Sequence, residues 1–479
     1  MNNEYKTTVG IEIHCELKSK SKMFSPSTNG YAPTPNLNIN EIDFAYPGVL
    51  PTVNMGAVEL ALKAALVLNC EINKEMFFDR KNYFYPDLPK GYQITQSRTP
   101  IGVNGYIDLG NGKRVRIHDI HIEEDTAKSI HHNEKSLLDF NRCGVPLIEI
   151  VSEADMNSSE DAKLYVEKLR ELLFYTGVTD AKIEEGSMRC DVNVSVSKTE
   201  KWGTRTEIKN VSSISNVGIA IHKEALRQID ILQNGGTIKE ETRRFDEVKQ
   251  ETILMRRKEV GNDYRYFPEP DIPKLVLTDG YIEKIKNSLP ILPNEIRQKY
   301  SSLNVSEINI EKLIQNKPLN DFLIKIDEID MQIASNLLLG DISSYLNKNN
   351  MLITDTKLTT NKFKDLVLKL QNNEITNKIF KDICVDLLET DMMADEIIDK
   401  KGLKSIDDID ALTLIVNNIL DNNAESIKDY FEGRDRAIKF LMGQVMKETK
   451  GSANPKIAND ILKLELDKRN NWFILKYVV

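Results

Sequence analysis

The first half of the chain alternates apolar and polar residues over short runs separated by turns. The second half repeats its apolar residues at helical spacing. Near the start, VGIEIHCELK alternates at a period of two, so on a strand Ile11, Ile13, Cys15 and Leu17 share one face and Glu12, His14 and Glu16 the other. Turn clusters rich in Pro, Gly and Asn punctuate residues 1 to about 288, with a few helices between them. One helix is predicted from Ser158, whose S-x-x-D pattern offers a cap; Ala162, Tyr165, Val166, Leu169, Leu172 and Leu173 form its inner face, and it stops before Gly177. A second is predicted over Met55 to Leu68 behind Asn54. The expected architecture is an α+β domain with a mixed or antiparallel sheet over residues 1–290.

Pro290 and Pro293 interrupt this texture, and beyond them Phe363, Leu366, Val367 and Leu370 follow the i, i+3, i+4, i+7 rule. An all-α domain over 291–403 and an all-α tail domain over 404–479 are expected, with the softer boundary near Gly402. No internal repeat is evident.

Composition narrows the class. With 479 residues, 41% hydrophobic and 29% charged, the chain is expected to be folded and soluble rather than disordered or disulfide-stapled. A net charge of -9 excludes a uniformly basic nucleic-acid binder, so any RNA contact must be local. One such patch lies in residues 431–456, where Arg434, Arg436, Lys439, Lys447, Lys450 and Lys456 face only Glu432, Asp435 and Glu448. The N-terminus lacks a secretory signal pattern and no apolar run is long enough to span a bilayer. Five scattered cysteines form no C-x-x-C pair, and are expected to be reduced thiols in a cytoplasmic protein.

Five segments carry candidate chemistry. Glu12 and His14 on one strand face suit a divalent-metal site, since carboxylate oxygens favour Mg²⁺ and a neutral imidazole can join them; a solvated edge strand would look the same. HIEEDTAK sets Glu123, Glu124 and Asp125 side by side, and three acids repel unless a cation or open water relieves them. LLDFNRCGVPLIEI embeds Asp139, Asn141, Arg142 and Glu149 among apolar residues, with Gly144 and Pro146 forcing a bend; a structural ion pair of Arg142 with Asp139 or Glu149 would also explain the charges. EEGSMRCDVNVSV places Arg189, Asp191 and Asn193 on one face, and TEIKN adds Glu207, Lys209 and Asn210. Residues 79–96 contribute Arg80, Lys81, Tyr83, Tyr85 and Tyr92, a mixture suited to stacking a base and holding phosphate, or to an ordinary core. There is no P-loop and no G-x-G-x-x-G, and no cysteine sits in a nucleophile elbow, so the chain is not expected to release ammonia itself.

These segments, with FAYPGVLP, DRKNYFYPD, ETRRFD, DYRYFPEPD and the KGSANP tail, closely resemble the B subunits of aspartyl/glutamyl-tRNA amidotransferases, the GatB family, over almost the whole chain. The resemblance implies a cradle domain with a kinase site, then a helical domain and a tRNA-binding tail. It implies a ligase that forms a carbon–nitrogen bond with glutamine as amido donor. ATP with Mg²⁺ phosphorylates the side-chain carboxylate of misacylated Glu-tRNA(Gln) or Asp-tRNA(Asn), and ammonia from an amidase-type A subunit displaces phosphate; a small C subunit completes a heterotrimer. Carried onto this sequence, Glu12, His14, Glu124 and Glu149 become the principal catalytic and metal-ligating residues, Glu123, Asp191 and Glu207 secondary acids, and Lys81, Arg142 and Arg189 phosphate ligands. A tRNA-clasping scaffold without chemistry and a metal-dependent hydrolase are the competing readings. The family pattern leaves the terminal WFILKYVV without a role.

Overall fold

A computed structural model describes residues 4–30, 32–132, 134–183, 186–257, 264–403, 409–449 and 453–477. The chain separates into two compact units, Met1–Pro293 and Asn294–Val479.

The first unit is built on a nine-stranded mixed sheet. Its strands in chain order are β1 (Lys6–Glu16), β2 (Glu71–Ile72), β3 (Gly102–Asp108), β4 (Arg114–Glu124), β5 (Pro146–Ser152), β6 (Met188–Ser197), β7 (Thr206–Val211), β8 (Glu241–Asp246) and β9 (Glu251–Arg257). Their spatial order is β9-β8-β7-β6-β1-β5-β4-β3-β2, which puts β1 at the centre. Neighbours run antiparallel except β7 and β8. Because alternate side chains leave opposite faces, Ile11, Ile13, Cys15, Ile120, Ile122, Ile148, Ile150, Val192 and Val194 all enter one buried core, leaving Glu12, His14, His121, Glu123, Glu149 and Asp191 on the other face.

Helices α1 (Met55–Val67), α2 (Ser159–Tyr175) and α3 (Ile214–Gln233) contribute to that core. The caps are those the sequence offers. Asn54 Oδ1 accepts from the Gly56 and Ala57 amides at 2.9 and 3.2 Å, and Ser158 Oγ from the Asp161 amide at 3.1 Å, each satisfying a donor with no partner inside the helix. Gly144 turns the chain into β5 at φ +79°, and a Cβ there would lie 3.2 Å from Asp43 Oδ1. All five cysteines are unbonded; Cys15 and Cys190 lie on the apolar side of the sheet.

Among the described residues the second unit holds helices and no strand. In the helix Thr360–Gln371, Phe363, Leu366 and Val367 are buried and Leu370 half-buried, as the spacing requires. Toward its end, Leu412, Val416, Leu420, Leu441, Val445, Leu462 and Leu466 form a core of their own. The helix Pro455–Tyr477 carries most of the WFILKYVV segment, whose side chains lie outside the described residues, as does Lys450 of the basic patch. Among the described residues no helix is long and apolar enough to cross a membrane.

One buried charge ties α3 to the sheet. Glu224, fully buried, accepts from Arg227 at 2.7 and 2.9 Å, from Gln228 at 2.9 Å and from Thr252 of β9 at 2.7 Å. Burial alone would raise its pKa, but Arg227 and these hydrogen bonds outweigh it and hold the carboxyl below its ordinary value. A depressed carboxyl stabilises the fold above its ordinary pKa near 4.5, and that contribution is lost as pH falls through the lower folded value. Glu224→Gln is therefore expected to lower the stability of the first unit by roughly 3 kcal/mol at pH 7, with the deficit shrinking below about pH 4. Urea denaturation of both proteins across that range measures it.

Candidate active site on the polar sheet face

Strand register decides which polar residues meet. β1 pairs with β5 so that His14 faces Glu149, and β5 pairs with β4 so that Glu149 faces His121. On its other side β1 pairs with β6, setting His14 opposite Arg189 and Glu12 opposite Asp191, while Asn193 of β6 lies opposite Glu207 of β7. Directly opposed residues share a face, so one row crosses four strands as Arg189, His14, Glu149 and His121.

Two groups of ligand atoms result. His14 Nε2 lies 3.3 Å from Glu149 Oε2 and 3.6 Å from Glu123 Oε1, and the same Glu149 oxygen is 3.1 Å from His121 Nε2. Glu12, Asp191 and Glu207 form the second group; in each group one ligand atom per residue lies within 4.8 Å of the others. Both sets are carboxylate oxygens with at most one imidazole, and the nearby thiols of Cys15 and Cys190 lie in the core behind the sheet. That donor chemistry fits a hard divalent cation such as Mg²⁺ and does not fit a structural zinc.

The charge balance within the groups is unusual. Burial raises the Glu123 carboxyl, and its neighbour Glu149 raises it further. For Glu149 burial acts the same way, yet hydrogen bonds from His121 and His14 overcome it and hold this carboxyl well below the usual range. Burial disfavours both imidazolium ions, but Glu149 and Glu123 raise His14 on balance, and Asp119 at 2.8 Å with Glu149 pushes His121 up to about 10. In the second group burial raises Glu12, and Glu149, Glu207 and Asp191 add to it. Lys209 answers that charge: its Nζ is 2.5 Å from Asp191 and 2.8 Å from Glu207, and despite burial its pKa is raised.

Beside these groups lies a cavity of about 830 Å³, whose walls include His14, Asp191 and the cations Arg189, Lys209 and Arg244. A short antiparallel ribbon of residues Asp79–Asn82, Tyr92–Thr95 and Phe267–Pro268 carries Lys81, which stands 5.1 Å from the Tyr264 ring. Burial opposes the Lys81 charge, but Glu123, Tyr266, Glu149 and Tyr264 keep its pKa raised, which sets its ammonium within electrostatic reach of the first group.

Of the residues expected from sequence, the first group thus gathers His14, Glu123 and Glu149, and the second Glu12, Asp191 and Glu207. Glu124 joins neither. It follows Glu123 on the same strand, so its side chain leaves the opposite face, where it pairs with Lys90 and accepts from the Ile94 amide at 3.0 Å. Asp125 takes Arg189 at 2.8 Å and lies 3.5 Å from Arg142. Arg142 donates from the same Nε that faces Asp125 to the Thr126 carbonyl at 2.9 Å and from an Nη to the Ala127 carbonyl at 3.0 Å, whereas Arg189 reaches the cavity wall. Arg80 is committed to Glu269 and lies over Tyr92. Sequence reasoning missed His121 and Asp119 altogether. The signal was present: D-x-H-x-E over residues 119–123 has the same period of two as E-x-H in β1.

Fold and site together define an α+β domain that gathers ionised groups on one face of its sheet, followed in the chain by a helical unit. Comparison with known proteins shows the family. Residues 7–283 match the family model described as the GatB/GatE catalytic domain, and residues 321–466 the one described as the GatB domain. Similar relatives are the aspartyl/glutamyl-tRNA(Asn/Gln) amidotransferase subunits B of Lysinibacillus sphaericus, 46% identical, and of Staphylococcus aureus, 47% identical; each likeness covers 97% of this chain and all of the relative. The chain belongs to the GatB family.

The electrostatic account has a direct consequence. A raised histidine stabilises the fold below its ordinary pKa near 6.5, and the contribution is lost as pH climbs through about 10. In protein freed of divalent ions, the His121 ring resonances are expected to titrate far above 6.5, and in Glu149→Gln the midpoint falls toward that value. An unchanged midpoint by NMR would show that Glu149 is not the partner holding the proton.

Proposed function

We propose that the chain is the B subunit of an aspartyl/glutamyl-tRNA amidotransferase, and that its polar sheet face uses ATP to activate the side-chain carboxylate of misacylated Glu-tRNA(Gln) or Asp-tRNA(Asn). The observation that carries the reading is the juxtaposition of two carboxylate groups with a cavity walled by Arg189, Lys209 and Arg244.

The chemistry explains why such a face is needed. A carboxylate is a poor acyl donor because oxide is a poor leaving group. Transfer of the terminal phosphoryl group forms a carboxylate O–P bond and breaks the bond to the departing ADP; ammonia then attacks the acyl carbon, phosphate leaves with the C–O electron pair, and the nitrogen sheds a proton. The first step gathers negative charge on the phosphoryl oxygens and on ADP, which demands opposite charge held in fixed positions. His14, Glu123 and Glu149 would hold one Mg²⁺, and Glu12, Asp191 and Glu207 a second. Bound there, Mg²⁺ supplies electrostatic neutralisation and a template for the phosphates. Arg189 and Lys209 line the adjoining cavity and suit phosphate oxygens, with Lys81 in electrostatic reach of the first group. Arg142 has its guanidinium engaged with backbone carbonyls and serves this reading as a support for the Asp125 turn.

Ammonia is assigned to an amidase-type A subunit, with a small C subunit completing a cytoplasmic heterotrimer. The tRNA-binding tail is assigned to residues 404–479, whose separate core and local excess of Arg and Lys support it.

In the assembled complex, Glu149→Ala or His14→Ala is expected to lower tRNA-stimulated ATP turnover at least about 100-fold, while tRNA binding persists. Phosphate release and filter binding measure the two quantities. Turnover retained in both variants would favour the scaffold reading, and metal-dependent hydrolysis without ATP would favour the hydrolase.

A further inference from the structure

Lys209 sits where a cation would. Its Nζ lies 2.5 Å from Asp191 and 2.8 Å from Glu207, two of the three acids that form the second group with Glu12. The same side chain lines the large cavity together with Arg189 and Arg244, and Arg244 is its direct partner on the parallel strand β8. One ammonium thus borders both the acids and the cavity beside them.

The backbone gives this lysine a special seat. Glu207 and Lys209 are two apart on β7 and so leave the same face. Past Ile208 the ladder with β6 loses its regular step: Ile208 pairs with Val192 but Val211 with Cys190, so Lys209 and Asn210 together oppose the single residue Asp191. That is a β-bulge, a device that re-aims a side chain beside an active site. Asn210 takes φ +61°, a left-handed conformation that asparagine tolerates and β-branched residues resist. The carboxylates, in contrast, have neutral holders of their own. Asn193 donates to Glu12 at 2.9 Å, and Thr242 of β8 donates to Glu207 at 2.9 Å. Glu12 and Glu207 therefore keep their places when the lysine leaves. A divalent ion bridging Asp191 and Glu207 would stand within a few Å of the ammonium, and two cations that close repel strongly in a half-buried site.

We propose that Lys209 is the resident cation of the second group and moves into the cavity when a divalent ion enters, adding its charge to Arg189 and Arg244 where phosphate oxygens would lie. The inference rests on the functional reading above, in which that group holds a divalent ion. Lys209 keeps the acids compensated while the group is empty, and the positive charge on the phosphate side is complete only once the ion is in place. Ion loading and phosphate engagement are thereby linked through one side chain.

In the assembled wild-type complex freed of divalent ions, Lys209 is expected to react slowly with acetic anhydride. Saturating Mg²⁺ is expected to raise its labelling, read by mass spectrometry, about tenfold as the bonds to Asp191 and Glu207 break, and Glu12→Gln to shift that rise to higher Mg²⁺ concentration. In Lys209→Met, Mn²⁺ titration followed by electron paramagnetic resonance is expected to show the site at the second group binding about tenfold more tightly than in wild type, while tRNA-dependent ATP turnover falls. Lys209 labelling that stays constant as Mg²⁺ is added overturns the proposal, as does a Lys209→Met complex that binds Mn²⁺ no more tightly than wild type. Because the labelling is read on the wild-type complex, it decides the role of Lys209 even if the variant fails to fold. Absence of tRNA-dependent ATP turnover in the wild-type complex would instead overturn the functional reading.

Discussion

The register of three antiparallel pairings around β1 is the constraint on which the rest depends. A strand alternates its faces, so a slip of one residue in β5 or β6 would send Glu149 or Asp191 into the core and bring Ile148 or Val192 out. The register is held from behind. Ile11, Ile13, Ile148, Ile150, Ile120, Ile122, Val192 and Val194 fill the opposite face, and their burial is what the sheet would lose by slipping. The apolar half of each strand thus positions the ionised half, and the site inherits its precision from core packing.

Carboxylates gathered this closely must be compensated. Within the chain the compensation comes from His14 and His121 around Glu149 and from Lys209 between Asp191 and Glu207, each drawn to a higher pKa by the acids it faces. These cations let the groups persist in a folded protein, since an unpaired buried charge costs far more than a paired one. In the proposed reading, a divalent ion entering either group would displace a proton or an ammonium rather than settle into bare repulsion. A face of this kind is prepared to accept concentrated charge of changing sign, which is the demand that phosphoryl transfer makes.

Much of this was legible in the sequence, and the failures have physical causes. The alternation in VGIEIHCELK placed Glu12 and His14 together, and the R-x-D-x-N spacing put Arg189, Asp191 and Asn193 on one face, because period-two patterning survives folding into a sheet. The capped helices at Asn54 and Ser158 were equally plain. The acidic run at 123–125 misled because adjacency along a strand is opposition across it. Glu123 turns to His14, Glu124 to Lys90, and Asp125 to Arg189, so three acids that seemed to share one cation serve three partners. His121 and Asp119 lie on the same face as Glu123 because the strand runs from Arg114 to Glu124, a period-two relation that is hidden when 123–125 is taken as a run of neighbouring acids. Arg142 could not be told from a phosphate ligand, since its carbonyl partners come from a turn that only the tertiary structure brings near.

The central claim is that the two carboxylate groups are cation sites facing a phosphate-sized cavity. Anomalous diffraction from crystals of the complex grown with Mn²⁺ and a non-hydrolysable ATP analogue tests it most directly. The account predicts peaks enclosed by His14, Glu123 and Glu149 and by Glu12, Asp191 and Glu207, with the terminal phosphate between them and the wall formed by Arg189 and Lys209. Manganese peaks elsewhere with neither group occupied, while the analogue is bound, would contradict it.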